Sequence, residues 1–189
     1  MDGRRSDALA VALAQYQART PAEVADLERV RTVAGQPDPW DRSTPLHVTA
    51  SALIVHPPTG RILLRWHDRQ QAWLQVGGHA DPGEVDPLAV ALREGAEETG
   101  LPDLRAWPSP AVRHVVIVAV PAAGPEPAHH HADVRFVVAT ERPELIRPER
   151  PTAELRWLSA ARAAALTTED NVRDTIGRAR ALLDASPDR

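Results

Sequence analysis

Residues 77–101 read GGHADPGEVDPLAVALREGAEETGL, and this stretch decides the fold. A helix is expected from about Asp86 to Thr99, with Pro87 near its start and Gly100 just past its end. Successive helical residues turn by about 100°, so Glu94, Glu97 and Glu98 share one face within an arc of roughly 100°. Leu88, Ala91 and Leu92, with Ala96 nearby, form an apolar stripe that can pack on a sheet. Each like-charged i,i+4 pair costs about a few tenths of a kcal/mol, and Arg93 relieves only part of that repulsion. A hard divalent cation removes the conflict: Mg²⁺ takes oxygen ligands, needs few protein carboxylates and keeps room for substrate phosphates. The Gly77-Gly78 turn before the helix lets a backbone carbonyl approach the same ion closely, because glycine has no Cβ. A solvated acidic face is the bland alternative, and the adjoining Arg, Gly-Gly turn and apolar backing argue against it.

Working outward, Gly78, Glu84, Arg93, Glu94, Glu97, Glu98, Gly100 and Leu101 resemble the signature of the Nudix hydrolases, G-x5-E-x7-R-E-U-x-E-E-x-G-U, where U is a bulky aliphatic residue. Two positions depart from it. Eight residues separate Glu84 from Arg93, and the first U position is Gly95. The extra residue fits in the loop around Val85–Pro87, and Gly95 suggests that something packs closely on the helix. The resemblance implies an α/β fold, a Nudix-type α/β/α sandwich with a mixed sheet. It implies metal ligation by Glu97 and Glu98, with Glu94 helping and the Gly78 carbonyl completing the site. Arg93 then orients the carboxylates through a salt bridge, with Glu84 as its partner. The implied reaction is attack of activated water on phosphorus in a diphosphate linkage of a nucleoside diphosphate derivative, with Mg²⁺ as cofactor and Mn²⁺ as a substitute. Two other readings are a Nudix-fold nucleotide sensor that does not cleave, and an isopentenyl diphosphate isomerase. The complete acidic cluster opposes the first, and the absence of Cys opposes the second. Residues that mark the ADP-ribose and diadenosine polyphosphate subgroups are missing: Val116 stands in place of a proline, and the only tyrosine is Tyr16.

Composition narrows the chemistry independently. The 189 residues contain no Cys, and all 22 basic residues are Arg. Disulfides, thiolate metal sites, Schiff-base mechanisms and a Walker-type phosphate loop are thereby excluded. A net charge of −4 and a pI near 6.1 do not suit a binder of long nucleic acid. No run approaches the roughly 20 apolar residues of a membrane span. Arg4-Arg5 before the short run ALAVALA resembles the start of a signal peptide, but the run is mostly Ala with polar residues close behind and reads instead as a packing helix, so the cytoplasm is the expected compartment.

Residues 1–45 are expected to form an N-terminal helical extension and linker, and residues 46–186 the Nudix domain. Residues 6–34 read as two helices broken at Thr20-Pro21, with Thr20 and Glu23 as a capping box and Val24, Leu27 and Val30 on one face. Whether these helices pair two copies into a homodimer or cover the cleft is open at this level. HVTASALIV and RILLRW, separated by PPTG, read as a hairpin. Short strands follow at 73–75, 112–120, 133–139 and 155–158, then a helix capped by Thr168 with Val172, Ile176 and Leu183 inward. PAAGPEPAHHH reads as a loop. His131 and Asp133, alternate residues on one strand face, are candidates for a metal or substrate role in the site, with a polar loop and a capping Asp as the alternative. Arg65, with His67, is a candidate phosphate contact, against ordinary surface placement. Trp40, Trp66, Trp73 and Trp157 read as core rather than base-stacking residues.

Overall fold

The structure, a computed structural model, describes residues 7–186. The pair Arg4-Arg5 and Ser6, the first residue of the expected helical region, lie outside the described residues. The elements in chain order are α1 (Asp7–Ala14), α2 (Pro21–Ala34), β1 (Leu46–His56), β2 (Arg61–His67), β3 (Ala72–Leu74), β4 (Val76–Gly78), α3 (Pro87–Thr99), β5 (Arg105–Ala106), β6 (His114–Val120), β7 (His129–Ala139), β8 (Leu155–Ser159), α4 (Ala160–Leu166) and α5 (Asp170–Asp184). One mixed sheet runs β3-β2-β1-β7-β5, with β4 also paired to β1, β6 to β7 and β8 to β2. Among the described residues only β1 and β7 run parallel, in a register that sets His47 beside His131 and Thr49 beside Asp133.

The two long central strands explain the layering. Side chains alternate between sheet faces. Val48, Ala50, Ala52 and Ile54 of β1 join Ala132, Val134, Phe136 and Val138 of β7 in one core, which α1, α2 and α3 cover. Leu53, Val55, Val137 and Ala139 point the other way, into a second core closed by α4 and α5. Near the start of the strands this second face turns polar, with Thr49, Ser51, Asp133 and Arg135 all buried. Helices thus flank a mixed sheet, as expected for the α/β/α reading.

Several local expectations are corrected. Val24 is 46% exposed, because the buried face of α2 runs through Glu23, Leu27, Val30 and Ala34. Glu23 takes the inward position by pairing with Arg178 at 2.9 Å, which leaves Val24 about 100° round the helix. Thr168 does not cap the last helix: Glu169 is the N-cap residue, and its carbonyl accepts from Arg173 N–H at 3.0 Å. The apolar side of α3 centres on Val90, Ala91 and Gly95, with Leu88 and Leu92 partly buried at its margins. Gly95 packs beneath Leu104, whose Cδ1 would stand 2.9 Å from an added Cβ. Gly77-Gly78 belongs to a strand paired with β1, not to a turn. The 121–131 segment is strand from His129 onward. Helix α4 has no counterpart in the sequence reading. Among the described residues no helix is long and apolar enough to cross a membrane.

Candidate active site

Helix α3 is fixed at both ends by its own residues. The Asp86 side chain accepts from Leu88 N–H, and Gly100 adopts the left-handed conformation that closes the C-terminus. With the apolar side seated on the sheet, Arg93, Glu94, Glu97 and Glu98 are carried to the strand ends. Arg93 is the hub. Its Nε donates to Glu84 at 3.0 and 3.1 Å, Nη1 donates to Glu94 at 3.0 Å and Glu97 at 2.9 Å, and Nη2 donates to the His79 carbonyl at 2.8 Å. One guanidinium therefore holds three carboxylates and the chain just after Gly78. With eight residues between them, Glu84 and Arg93 still pair, and Glu84 is held in addition by Asp81 N–H at 2.8 Å.

Glu98 is held differently. Gly77 N–H donates to it at 3.2 Å, and Arg65 Nη1 lies 3.1 Å from its other oxygen. Arg65 also reaches Glu149, at 3.5 Å. It is only 6% exposed, so the surface placement expected for it is wrong: the carboxylate of Glu98 draws it inward from β2. Burial pushes the Glu98 carboxyl up to about 7, against the lowering effect of Arg65. Burial likewise raises Glu94, whereas hydrogen bonds from Arg93 lower Glu84.

The glycines join these acids to a pocket. An added Cβ on Gly78 would stand 2.7 Å from the Glu94 carboxylate, so a side chain there would displace that acid. Gly77 adopts φ of 151°, and a Cβ there would meet Ser51 Oγ at 2.5 Å and the Ala50 carbonyl at 2.6 Å. Both glycines line a cavity of about 270 Å³, together with His67, Gln75, His131 and Asn171 among others. Asp133 lies in its wall but is only 5% exposed, accepting from Thr49 at 3.1 Å, Ser51 at 2.9 Å and Arg135 at 2.7 Å. Arg135 in turn donates to the Asn171 carbonyl and side chain, tying α5 to the sheet.

The donor set fits a hard cation: Glu94, Glu97, Glu98 and a side-chain-free backbone at Gly78 offer only oxygen. Glu98 supplies a second sign, since a buried carboxyl held near neutrality is the kind of group a nearby cation ionises.

A family model described as the NUDIX domain matches residues 45–178. The chain belongs to the Nudix family. The Nudix fold is also seen in its structural neighbours. The dihydroneopterin triphosphate pyrophosphohydrolase of E. coli aligns with a TM-score of 0.55 and 21% identity, over 73% of this chain and 96% of that one. The Ap4A hydrolase of C. elegans aligns at 0.58 and 18%, over 74% and 98%. RenU, a Nudix hydrolase from M. smegmatis, aligns at 0.52 and 26%, over 75% and 88%. No curated protein sequence matches the chain.

Sequence reasoning singled out His131 but missed His47, His79 and His129, which crowd around it. Ring centroids of His47 and His79 lie 5.1 Å apart, and those of His129 and His131 4.9 Å. The available signal was strand parity: His47, Thr49 and Ser51 alternate with apolar residues, as His131 and Asp133 do. The four tryptophans are placed as expected. Trp40 and Trp73 are buried, Trp66 packs on Trp73 at 5.6 Å, and Trp157 donates to the Pro143 carbonyl at 3.0 Å.

Proposed function

We propose that the chain hydrolyses the diphosphate linkage of a small nucleoside diphosphate derivative, using Mg²⁺ or, in its place, Mn²⁺. The observation that carries this reading is the junction at Gly77-Gly78. There the acids of α3 touch two residues of the cavity lining, through the Gly77 hydrogen bond to Glu98 and the close approach of Gly78 to Glu94. Glu94, Glu97 and Glu98, with the Gly78 carbonyl, are the residues that would hold the cation. When bound, the cation offsets the charge of the diphosphate and polarises its phosphoryl oxygens.

The protein's own residues do the rest. Arg93 gathers Glu84, Glu94 and Glu97 around one guanidinium, so these acids are preorganised in spite of their mutual repulsion. Arg65 and Gly77 N–H fix Glu98. Burial raises Glu98 to about 7, so a cation held there would favour its ionised form. Arg65, His131 and Asp133 border the same region: Arg65 through Glu98, and the other two in the cavity wall. Without positive charge, the acids would repel a polyphosphate, so turnover should depend absolutely on the divalent ion.

The test is hydrolysis of a panel holding ADP-ribose, nucleotide sugars, dinucleoside polyphosphates, coenzyme A, NADH and damaged nucleoside triphosphates. Each is assayed with Mg²⁺ and with Mn²⁺, and products are analysed to show which phosphorus is attacked. Glu98→Gln should lose more activity than the roughly 10–100-fold typical of a supporting residue. Wild-type turnover in that variant, or ligand-induced thermal stabilisation without turnover of any compound, would overturn the hydrolase reading; the second outcome favours a sensor.

A further inference from the structure

The carboxylate site leaves one feature of the pocket unused, its group of imidazoles. His47 from β1, His79 just after β4 and His131 from β7 each offer a ring nitrogen, and these lie within 4.8 Å of one another. Three separate elements supply them, so the grouping is set by the β1/β7 register and by β4 pairing on β1.

The ring orientations carry the argument. His47 is 1% exposed, and its Nδ1–H donates to the Thr44 carbonyl at 2.9 Å. A neutral imidazole with Nδ1 protonated keeps a lone pair on Nε2. That lone pair faces Nε2 of His79 at 3.1 Å. His129 repeats the device: its Nδ1–H donates to the Pro127 carbonyl at 2.9 Å, and its Nε2 lies 3.0 Å from Nε2 of His131. Anchoring the far ring nitrogen on a backbone carbonyl is how metal-ligating histidines are held in orientation. Tetrahedral nitrogen ligands at zinc distances stand about 3.3 Å apart, close to the spacing already present between His47 and His79.

We propose that His47, His79 and His131 form a three-imidazole site for a borderline divalent cation of the Zn²⁺ class, separate from the oxygen site on α3. Imidazole nitrogen suits Zn²⁺ and Co²⁺, whereas carboxylate and carbonyl oxygen suit Mg²⁺, so the two sites sort their ions by donor chemistry. His129, outside the trio, positions His131. His79 and His131 line the cavity beside Gly77 and Gly78, so the position left open on the ion faces the pocket and takes a water or a substrate oxygen. This assignment does not rest on the diphosphate reading, and loss of Mg²⁺-dependent turnover would leave it standing.

The experiment is Co²⁺ titration of the EDTA-stripped full chain in excess Mg²⁺, followed by visible absorption, with Zn²⁺ as competitor. One equivalent of Co²⁺ per chain should give ligand-field bands that Zn²⁺ bleaches and Mg²⁺ does not. His79→Gln and His131→Gln should each weaken binding by more than about tenfold, while Glu97→Gln retains it. Long-range nitrogen-proton spectra of the wild-type histidine rings, recorded with and without Zn²⁺, supply a readout that needs no variant; ring signals of His47, His79 and His131 should shift together. Bands that vanish in Glu97→Gln, no bands at all, or unmoved ring signals would overturn the site and leave the imidazoles sharing protons only.

Discussion

A single guanidinium does more at this site than its charge requires. Arg93 reaches Glu84, Glu94, Glu97 and the His79 carbonyl at once, a planar fork that an ammonium cannot reproduce. Arg93→Lys is therefore expected to fold normally yet lose about 10–100-fold in kcat/KM, measured in the same hydrolysis assay at saturating Mg²⁺. His114 shows a different use of burial. It is 4% exposed, bonded to Thr175 at 2.9 Å and flanked by Arg135 and Arg178, and burial pushes it down to about 3. Its folded value lies below the 6.5 of an unfolded histidine, so the unfolded chain takes up a proton first as pH falls. Above pH 6.5 the group imposes no penalty; from there towards pH 3 stability is lost. Between pH 6.5 and 5 the loss from His114 is about 2 kcal/mol. Urea unfolding at those two pH values should show a smaller acid loss for His114→Gln than for the wild type.

At the scale of elements, α3 and β4 act as one unit. The helix supplies the acids, and the strand brings two glycines against them, with β4 held on β1 at Ser51↔Gly77 and Ala50↔Gly78. The approach leaves no room for a side chain at Gly77, where the obstructing atoms include the Ala50 carbonyl and Ser51 Cα, neither of which can rotate away. Gly77→Ala is expected to lower stability by about 2 kcal/mol or more, through overpacking and an unfavourable φ together. Chemical denaturation measures that loss directly. The same variant should lose activity before it loses its fold, since Gly77 N–H aligns Glu98.

For the whole molecule, the N-terminal helices are part of the packing. Leu9, Leu13, Leu27 and Val30 share a core with Val48, Val90 and Phe136. Asp26 accepts from Ile117 N–H at 3.0 Å, and Glu23 pairs with Arg178 of α5, which also donates to Tyr16 and to the Arg113 carbonyl. This links the first described helices to the last. Far-ultraviolet and tryptophan signals should therefore unfold in one coincident transition. Glu23→Ala leaves the Arg178 charge buried without its carboxylate and is expected to cost about 3–5 kcal/mol, read from the same denaturation curves.

The chain itself determined the carboxylate helix, because helical period, caps and charge spacing are local properties: Asp86, Arg93, Glu94, Glu97, Glu98 and Gly100 carry them within fifteen positions. It determined the hairpin and the main strands for the same reason. Tertiary structure alone decided the parallel pairing of β1 with β7, which sets His47 beside His131 and Thr49 beside Asp133. It also decided that Arg65 turns inward to Glu98 and that Glu23 displaces Val24 from the buried face. Those contacts join residues far apart in the chain, and their partners are selected by register and by the need of a buried charge for its opposite. Neither requirement leaves a mark on the residues next to it in sequence.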